Sequence, residues 1–293
     1  MKFLAVVLFL FFNTLVFSKS VDYLPVPSND LVRHTYYTLS YNEKNEEANW
    51  VYYSLTDSMV LNGGGERSNK FKVDLLVATG SAKSTDYTKS GYDRGHLCPA
   101  ADMGFNSTAM EESFLMSNVC PQAPDFNRGI WKDLETEVRK WAKKEHRLYV
   151  VTGPIFKDDK GTIGQDNVVV PGYFFKIIYE ETTKPKIIAF VFPNRKSDRP
   201  LTDFAVTVDE AEKLTGFDFF SQLPDELENK LESRVDISGW FEGNENPEPI
   251  AATTKQSQLQ EKNAGSDFQF YLILISAISM VVIFVFVKGR KRR

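Results

Sequence analysis

Two periodicities divide the chain between them. In 34–41, "HTYYTLSY", and in 49–55, "NWVYYSL", aromatic and β-branched residues alternate with polar ones at a period of two, which predicts a pair of strands parted by the polar "NEKNEEA". The runs "RLYVVTGPIF" (147–156), "VVVPGYFFKIIYE" (168–180) and "KIIAFVFPN" (186–194) predict further strands. Helical spacing appears in "FNRGIWKDLETEVRKWAKK" (126–144), where Ile130, Leu134, Val138 and Trp141 fall four, four and three apart and form one apolar face. Asp125 or Asn127 is placed to cap it. "TVDEAEKLTG" (207–216) and "LPDELENKLESR" (223–234) predict two shorter helices, the first capped by Thr207 and stopped by Gly216. Strands and helices do not alternate, so the fold class is α+β, a mostly antiparallel central sheet flanked by helices. Gly63–Gly65 mark a flexible loop, and "GYDRGHLCPAADM" (91–103) is too rich in Gly, Pro and Asp to predict a regular element.

The two ends carry different signals. Lys2 followed by an apolar run reads as a signal peptide over 1–20. At the far end, "FYLILISAISMVVIFVFV" (270–287) has no charge and no polar face. With its flanks it predicts a transmembrane helix over 268–287 rather than a buried core helix. The basic tail at 288–293 then stays in the cytoplasm, and the domain at 21–245 is exported and membrane-anchored on the other side. Small residues at 263–266 would also suit a lipid-anchor signal, but the terminal Lys and Arg residues argue against it. The stretch 246–267 has no apolar periodicity and reads as a disordered stalk. Setting aside Lys2, Lys19 and the five terminal basic residues leaves 28 basic residues against 39 acidic ones, about −11 for the exported part. That balance does not favour polyanion binding by bulk charge. A local basic strip of Arg67, Lys70, Lys72, Arg94 and Arg128 is expected to be needed instead. The only cysteines are Cys98 and Cys120. Export permits a bridge between them, which we favour over two buried free thiols.

Candidate chemistry gathers in 91–137. His96 is a side chain that takes a proton near neutral pH, and Asp93 and Arg94 precede it closely. The following run supplies the oxygen-bearing groups of Asn118, Gln122, Asn127 and Glu135. On one helix Asn127 and Glu135 would stand about 80° apart in rotation and about 12 Å along the axis. That is too far to grip one ion directly, yet suitable for a hydrated hard cation. The plainer reading is a capping Asn and a solvated helix Glu. His34 and His146 read as structural or exposed, and Asn106 opens a glycosylation sequon.

"DRGH" (93–96), "SNVCPQ" (117–122) and "NRGIWKDLE" (127–135), in this order and spacing, resemble the DNA/RNA non-specific endonucleases of the ββα-metal class. The likeness runs from about residue 36 to about residue 241. It implies a ββα-metal active-site motif in which His96 is the general base and Asn127 the direct protein ligand of a magnesium ion, with manganese as the alternative. It further implies that Asn118 fixes the site, Glu135 holds the ion's water, Arg94 faces phosphate, and Arg67 does so from upstream. The expected activity is Mg-dependent endonucleolytic hydrolysis of DNA and RNA. Two other readings are weighed beside it: a catalytically idle nucleic-acid-binding module, and a phosphodiesterase for other phosphoesters. The sequence leaves the oligomeric state open.

Overall fold

The computed structural model describes residues 22–241. The assigned signal peptide, stalk, membrane span and basic tail lie outside the described residues. Among those described, no helix is long and apolar enough to cross a membrane.

The chain opens with β1 (Leu31–Arg33), β2 (Thr38–Asn42) and β3 (Glu47–Thr56), followed by the short α1 (Asp57–Leu61). Next come β4 (Asp93–His96), α2 (Ser107–Ser113), β5 (Val119–Gln122), α3 (Pro124–Asn127) and the long α4 (Ile130–Glu145). The remainder is β6 (Arg147–Ile155), β7 (Thr162–Ile163), β8 (Val168–Val169), β9 (Tyr173–Glu180), β10 (Lys186–Pro193), β11 (Ala205–Val206), α5 (Val208–Thr215) and α6 (Asp225–Glu232).

Seven strands form one sheet in the order β1-β2-β3-β6-β9-β10-β11, and each neighbouring pair is antiparallel. β9 shows why a largely apolar run is a strand here. Both faces are covered, so alternate residues serve two cores. Phe174 and Ile178 join the core under α4, where Leu134, Val138 and Trp141 pack. Phe175 turns the other way to Phe219, with ring centroids 5.3 Å apart, on the side where α5 and α6 pack against β10. Each fully buried apolar side chain of this kind contributes about 1.5–3 kcal/mol.

Four sequence expectations need correction. The helix expected over 126–144 is broken. α3 ends at Asn127, and α4 begins at Ile130 with Gly129 as its N-cap instead of Asp125 or Asn127. A Cβ on Gly129 would lie 2.4 Å from the Asp125 carbonyl oxygen, so the tight junction requires glycine. The expected strand at 168–180 is split at Pro171 and Gly172, because proline has no N–H for the ladder. "DRGH" is a strand after all, because β5 supplies the pairing partner that a local reading lacks. Finally, both cysteines are free and buried. Cys98 faces Asp102 and Lys176, whereas Cys120 faces Glu47. Burial pushes both thiols up, as do Asp102 for Cys98 and Glu47 for Cys120, so both are protonated. The Thr207 helix is as expected: α5 carries a full capping box between Thr207 and Glu210 and ends at Gly216.

Because neither thiol crosslinks the chain, urea unfolding curves with and without reductant should superimpose. Labelling should find two thiols in the denatured chain and essentially none in the native one. A curve shifted to lower urea by reductant would contradict the free-thiol arrangement.

Candidate active site

β4 and β5 pair antiparallel with Asp93 opposite Gln122 and His96 opposite Val119. The chain then turns through α3 into α4, giving a strand pair followed by helix. The turn after His96 is held by one side chain. Asn118, fully buried, accepts from the Cys98 N–H at 2.8 Å and donates from Nδ2 to the carbonyls of Cys98 and Ser113, both at 2.9 Å. Gly95 is needed between Arg94 and His96 for space. The Gln122 side chain lies where a Cβ would stand, at 2.1 Å.

His96 is 9% exposed, and its Nε2 has no hydrogen-bond partner. Its ring packs against Phe114 at 4.8 Å and Phe71 at 5.4 Å. Burial lowers its pKa, and the Arg67 guanidinium adds to the effect, bringing it to about 3. The imidazole is therefore neutral, with a free nitrogen. The same two rings carry the arginines: Arg67 sits over Phe114 at 5.1 Å and Arg94 over Phe71 at 5.0 Å. Stacking of this kind holds a guanidinium in place without neutralising it. Arg94 also donates to the Ser84 carbonyl and hydroxyl, and Arg67 to Asn69. Neither meets a carboxylate in an ion pair.

Asn127 is oriented from β4. Its Nδ2 donates to Asp93 Oδ2 at 2.9 Å, and because an ionised carboxylate only accepts, the amide oxygen must point away. That oxygen takes no hydrogen bond from the protein. Arg128 grips the same carboxylate with Nε at 2.7 Å and Nη2 at 2.6 Å. Burial pushes Asp93 up, but the hydrogen bonds from Arg128 and Asn127 outweigh it and hold the carboxyl below its ordinary value. Asp93 and His96 span three residues of one strand, about 10 Å, so His96 and Asn127 belong to one strand-and-helix unit.

Glu135, on α4, is half-buried and accepts no hydrogen bond from the protein. Its charged neighbours are Lys176, Asp102, Arg139 and Arg67. Burial raises it, the Lys176 ammonium opposes, and it stands at about 7. Lys176 is fully buried on β9, 4.8 Å over the Trp131 ring, with Nζ 3.4 Å from the Leu97 carbonyl. Burial lowers its pKa, while Glu135 and Asp102 pull the other way. Asp102 in turn takes Arg139 at 2.9 Å and the Tyr53 hydroxyl at 3.0 Å.

Arg67, Arg94 and His96 thus meet around two phenylalanines, Glu135 approaches from α4, and Asn118 and Asn127 hold the surrounding turns. Asn127 and Glu135 do not share a helix, contrary to the expectation, because the break at Gly129 lies between them. The expected basic strip is also reduced. Lys72 pairs with Glu111 and Arg128 with Asp93, leaving Arg67, Lys70 and Arg94 as its uncompensated members. Lys176, Asp93 and the Phe71–Phe114 pair were missed as site residues. A lysine inside "FFKIIY" is a visible signal, whereas the phenylalanines' role depends on tertiary contact alone.

The hairpin followed by a helix gives the strand, strand, helix order that the resemblance leads one to expect. Comparison with known proteins agrees: the family model for DNA/RNA non-specific endonuclease matches residues 20–226. A nuclease of Nostoc is 34% identical over 72% of this chain and 80% of its own length. Nuclease C1 of Cunninghamella echinulata is 38% identical over 68% and 86%, and human mitochondrial endonuclease G is 34% identical over 64% and 68%. The solved structure of an EndoG/EndoGI complex aligns with a TM-score of 0.63 at 34% identity, covering 67% of this chain and 87% of that one. The chain belongs to the DNA/RNA non-specific endonuclease family. It is an endonuclease.

Two measurements check this geometry. Gly95→Ala should lower stability by about 1–3 kcal/mol, the usual cost of overpacking, and Gln122→Ala should recover most of that loss; an additive double variant would contradict the contact. His96, held near 3 against an ordinary 6.5, contributes stability present above its unfolded pKa. That stability is lost as pH falls toward 3, at up to about 1.4 kcal/mol per pH unit. The unfolding free energy of His96→Gln should therefore fall less steeply than wild type below pH 6.5, and parallel slopes would refute a buried neutral imidazole.

Proposed function

We propose that this endonuclease hydrolyses both DNA and RNA with magnesium, His96 acting as general base. The observation that carries the reading is the buried, unprotonated imidazole with an unpartnered Nε2, packed on two phenylalanine rings that each carry a guanidinium no carboxylate neutralises. Nε2 accepts the proton of the attacking water. Arg94 and Arg67 face the anionic phosphate and the charge that builds on it. Asn118 fixes the turn after His96, so the ring keeps its aim as the proton arrives. Contacts of this type go to phosphate, not to base edges, which supports weak sequence preference. The nucleophile is water and not the 2′-hydroxyl, so RNA and DNA are both substrates.

The residues present suit a hydrated magnesium ion. Asn127 keeps a free amide oxygen aimed by Asp93, and Glu135 keeps a carboxylate without a protein donor, the hard oxygen set such an ion prefers. Manganese would fit the same donors. When bound, the ion supplies positive charge to the phosphorane and the departing oxygen. Asn127 would hold it directly and Glu135 would orient its water. The proposal extends to location: the signal peptide at 1–20 and the apolar run with its basic flank at 268–293 support a domain tethered outside the cytoplasm.

In digests of plasmid DNA and of RNA, the full chain should cut both in magnesium and neither in EDTA. His96→Ala should lose about 10²- to 10⁴-fold in rate with its thermal midpoint nearly unchanged, and Asn127→Ala should weaken magnesium activation. Persistent cutting by His96→Ala would remove it from the mechanism. Cleavage confined to small phosphoesters would favour the phosphodiesterase reading.

A further inference from the structure

On the side of the sheet away from α4, three carboxylates meet where α5 and α6 come together. Asp209 and Glu212 stand three residues apart on α5, a spacing that places them on one helix face. Glu232, the last residue of α6, completes the group. One oxygen from each lies within 4.8 Å of the others. Glu232 is only 5% exposed, its Oε1 is buried, and its side chain makes no hydrogen bond. Glu212 uses Oε1 to accept from the Phe219 N–H at 2.9 Å, which leaves its second oxygen free. Among the described residues no lysine or arginine pairs with any of the three. Asp218 and Glu228 add further negative charge from close by.

The buried Lys176, by contrast, is matched by Glu135 and Asp102. Here a buried carboxyl group is aimed at two others, and with no cation present it avoids the several kcal/mol of an uncompensated buried charge only by staying protonated. Burial, then Glu212, Glu228, Asp209 and Asp218, push Glu232 up to about 9. We propose that Asp209, Glu212 and Glu232 form a binding site for a hard divalent cation of calcium's size, joining α5 to α6. An all-carboxylate donor set selects a hard ion over zinc or copper. Calcium binds oxygen at about 2.3–2.6 Å in flexible geometry and takes several protein carboxylates at once. Magnesium, at about 2.0–2.1 Å, spans less and keeps its waters. The site is separate from the His96 unit, since α5 and α6 pack on the Phe175 face of the sheet, and its role is structural: it fixes the loop between the two helices, whose Asp218 pairs with Val26 near the N-terminal end of the described chain.

The test is thermal unfolding of the full chain, first stripped with EDTA and then titrated with calcium or with magnesium. Calcium at about 100 times its dissociation constant should raise the midpoint by about 5 °C or more. Glu232→Gln and Asp209→Asn should each abolish the rise, while Asn127→Ala keeps it. Nuclease activity in magnesium should stay within about twofold of wild type in Glu232→Gln. Should Glu232→Gln fail to fold, Asp209→Asn, on the partly exposed rim, decides alone. No calcium-dependent rise in the wild type, a rise that survives both substitutions, or an equal magnesium response through the same residues would overturn the assignment.

Discussion

The geometry of the candidate active site depends on one carboxamide. Asn118 has no exposure and spends its amide on the two polar groups of Cys98 and the carbonyl of Ser113. These bonds join three segments: the turn leaving β4, the C-terminal end of α2, and the chain entering β5. Without them the residues after His96 would have buried peptide groups and no partners, at about 1–3 kcal/mol for each one left unmade. Orientation of His96 is thus a by-product of satisfying ordinary backbone groups, and geometry and stability are bought with the same bonds.

A second constraint lies below that turn. Lys176 projects from the middle of the large sheet into the base of the site, against the Leu97 carbonyl and facing Glu135 and Asp102. A buried ammonium costs several kcal/mol unless opposed by charge, so the lysine requires the carboxylates as much as they require it. The sheet thereby acts on the site electrostatically as well as sterically. It places positive charge under Glu135, while the Phe71 and Phe114 rings pack against His96. On one side of the pocket Lys176 opposes the burial that raises Glu135, and on the other burial keeps the imidazole neutral.

Much of this was legible in the sequence, and the exceptions have physical causes. Strands at 49–55, 147–156 and 186–194 could be read because aromatic and β-branched runs leave few alternatives. The α5 cap was visible because Thr207 and Glu210 act locally. "DRGH" was misread because a four-residue strand is stabilised by its partner β5, some two dozen residues onward, and propensity carries no information about that. The helix over 126–144 was read as continuous because apolar spacing persists through Gly129, and only the approach of the Asp125 carbonyl shows the break. Export of a chain with two cysteines suggested a bridge, whereas Cys98 and Cys120 face different neighbours. The motif residues themselves were easy to find. Their mutual arrangement was not, since it passes through Phe71, Phe114 and Lys176, far away in the chain.

The break at Gly129 has a consequence for how such a protein can vary. A single rigid rod through 124–145 would tie Asn127 to Glu135 by a fixed pitch, and any repacking beneath the rod would displace both. With the junction in place, the amide takes its bearings from the Asp93 carboxylate, while the glutamate follows the rod's seat on the sheet. Substitutions under Leu134 or Val138 can then shift the long segment by small amounts and leave the amide where it was. Core drift and site geometry are decoupled at a single residue that has no side chain.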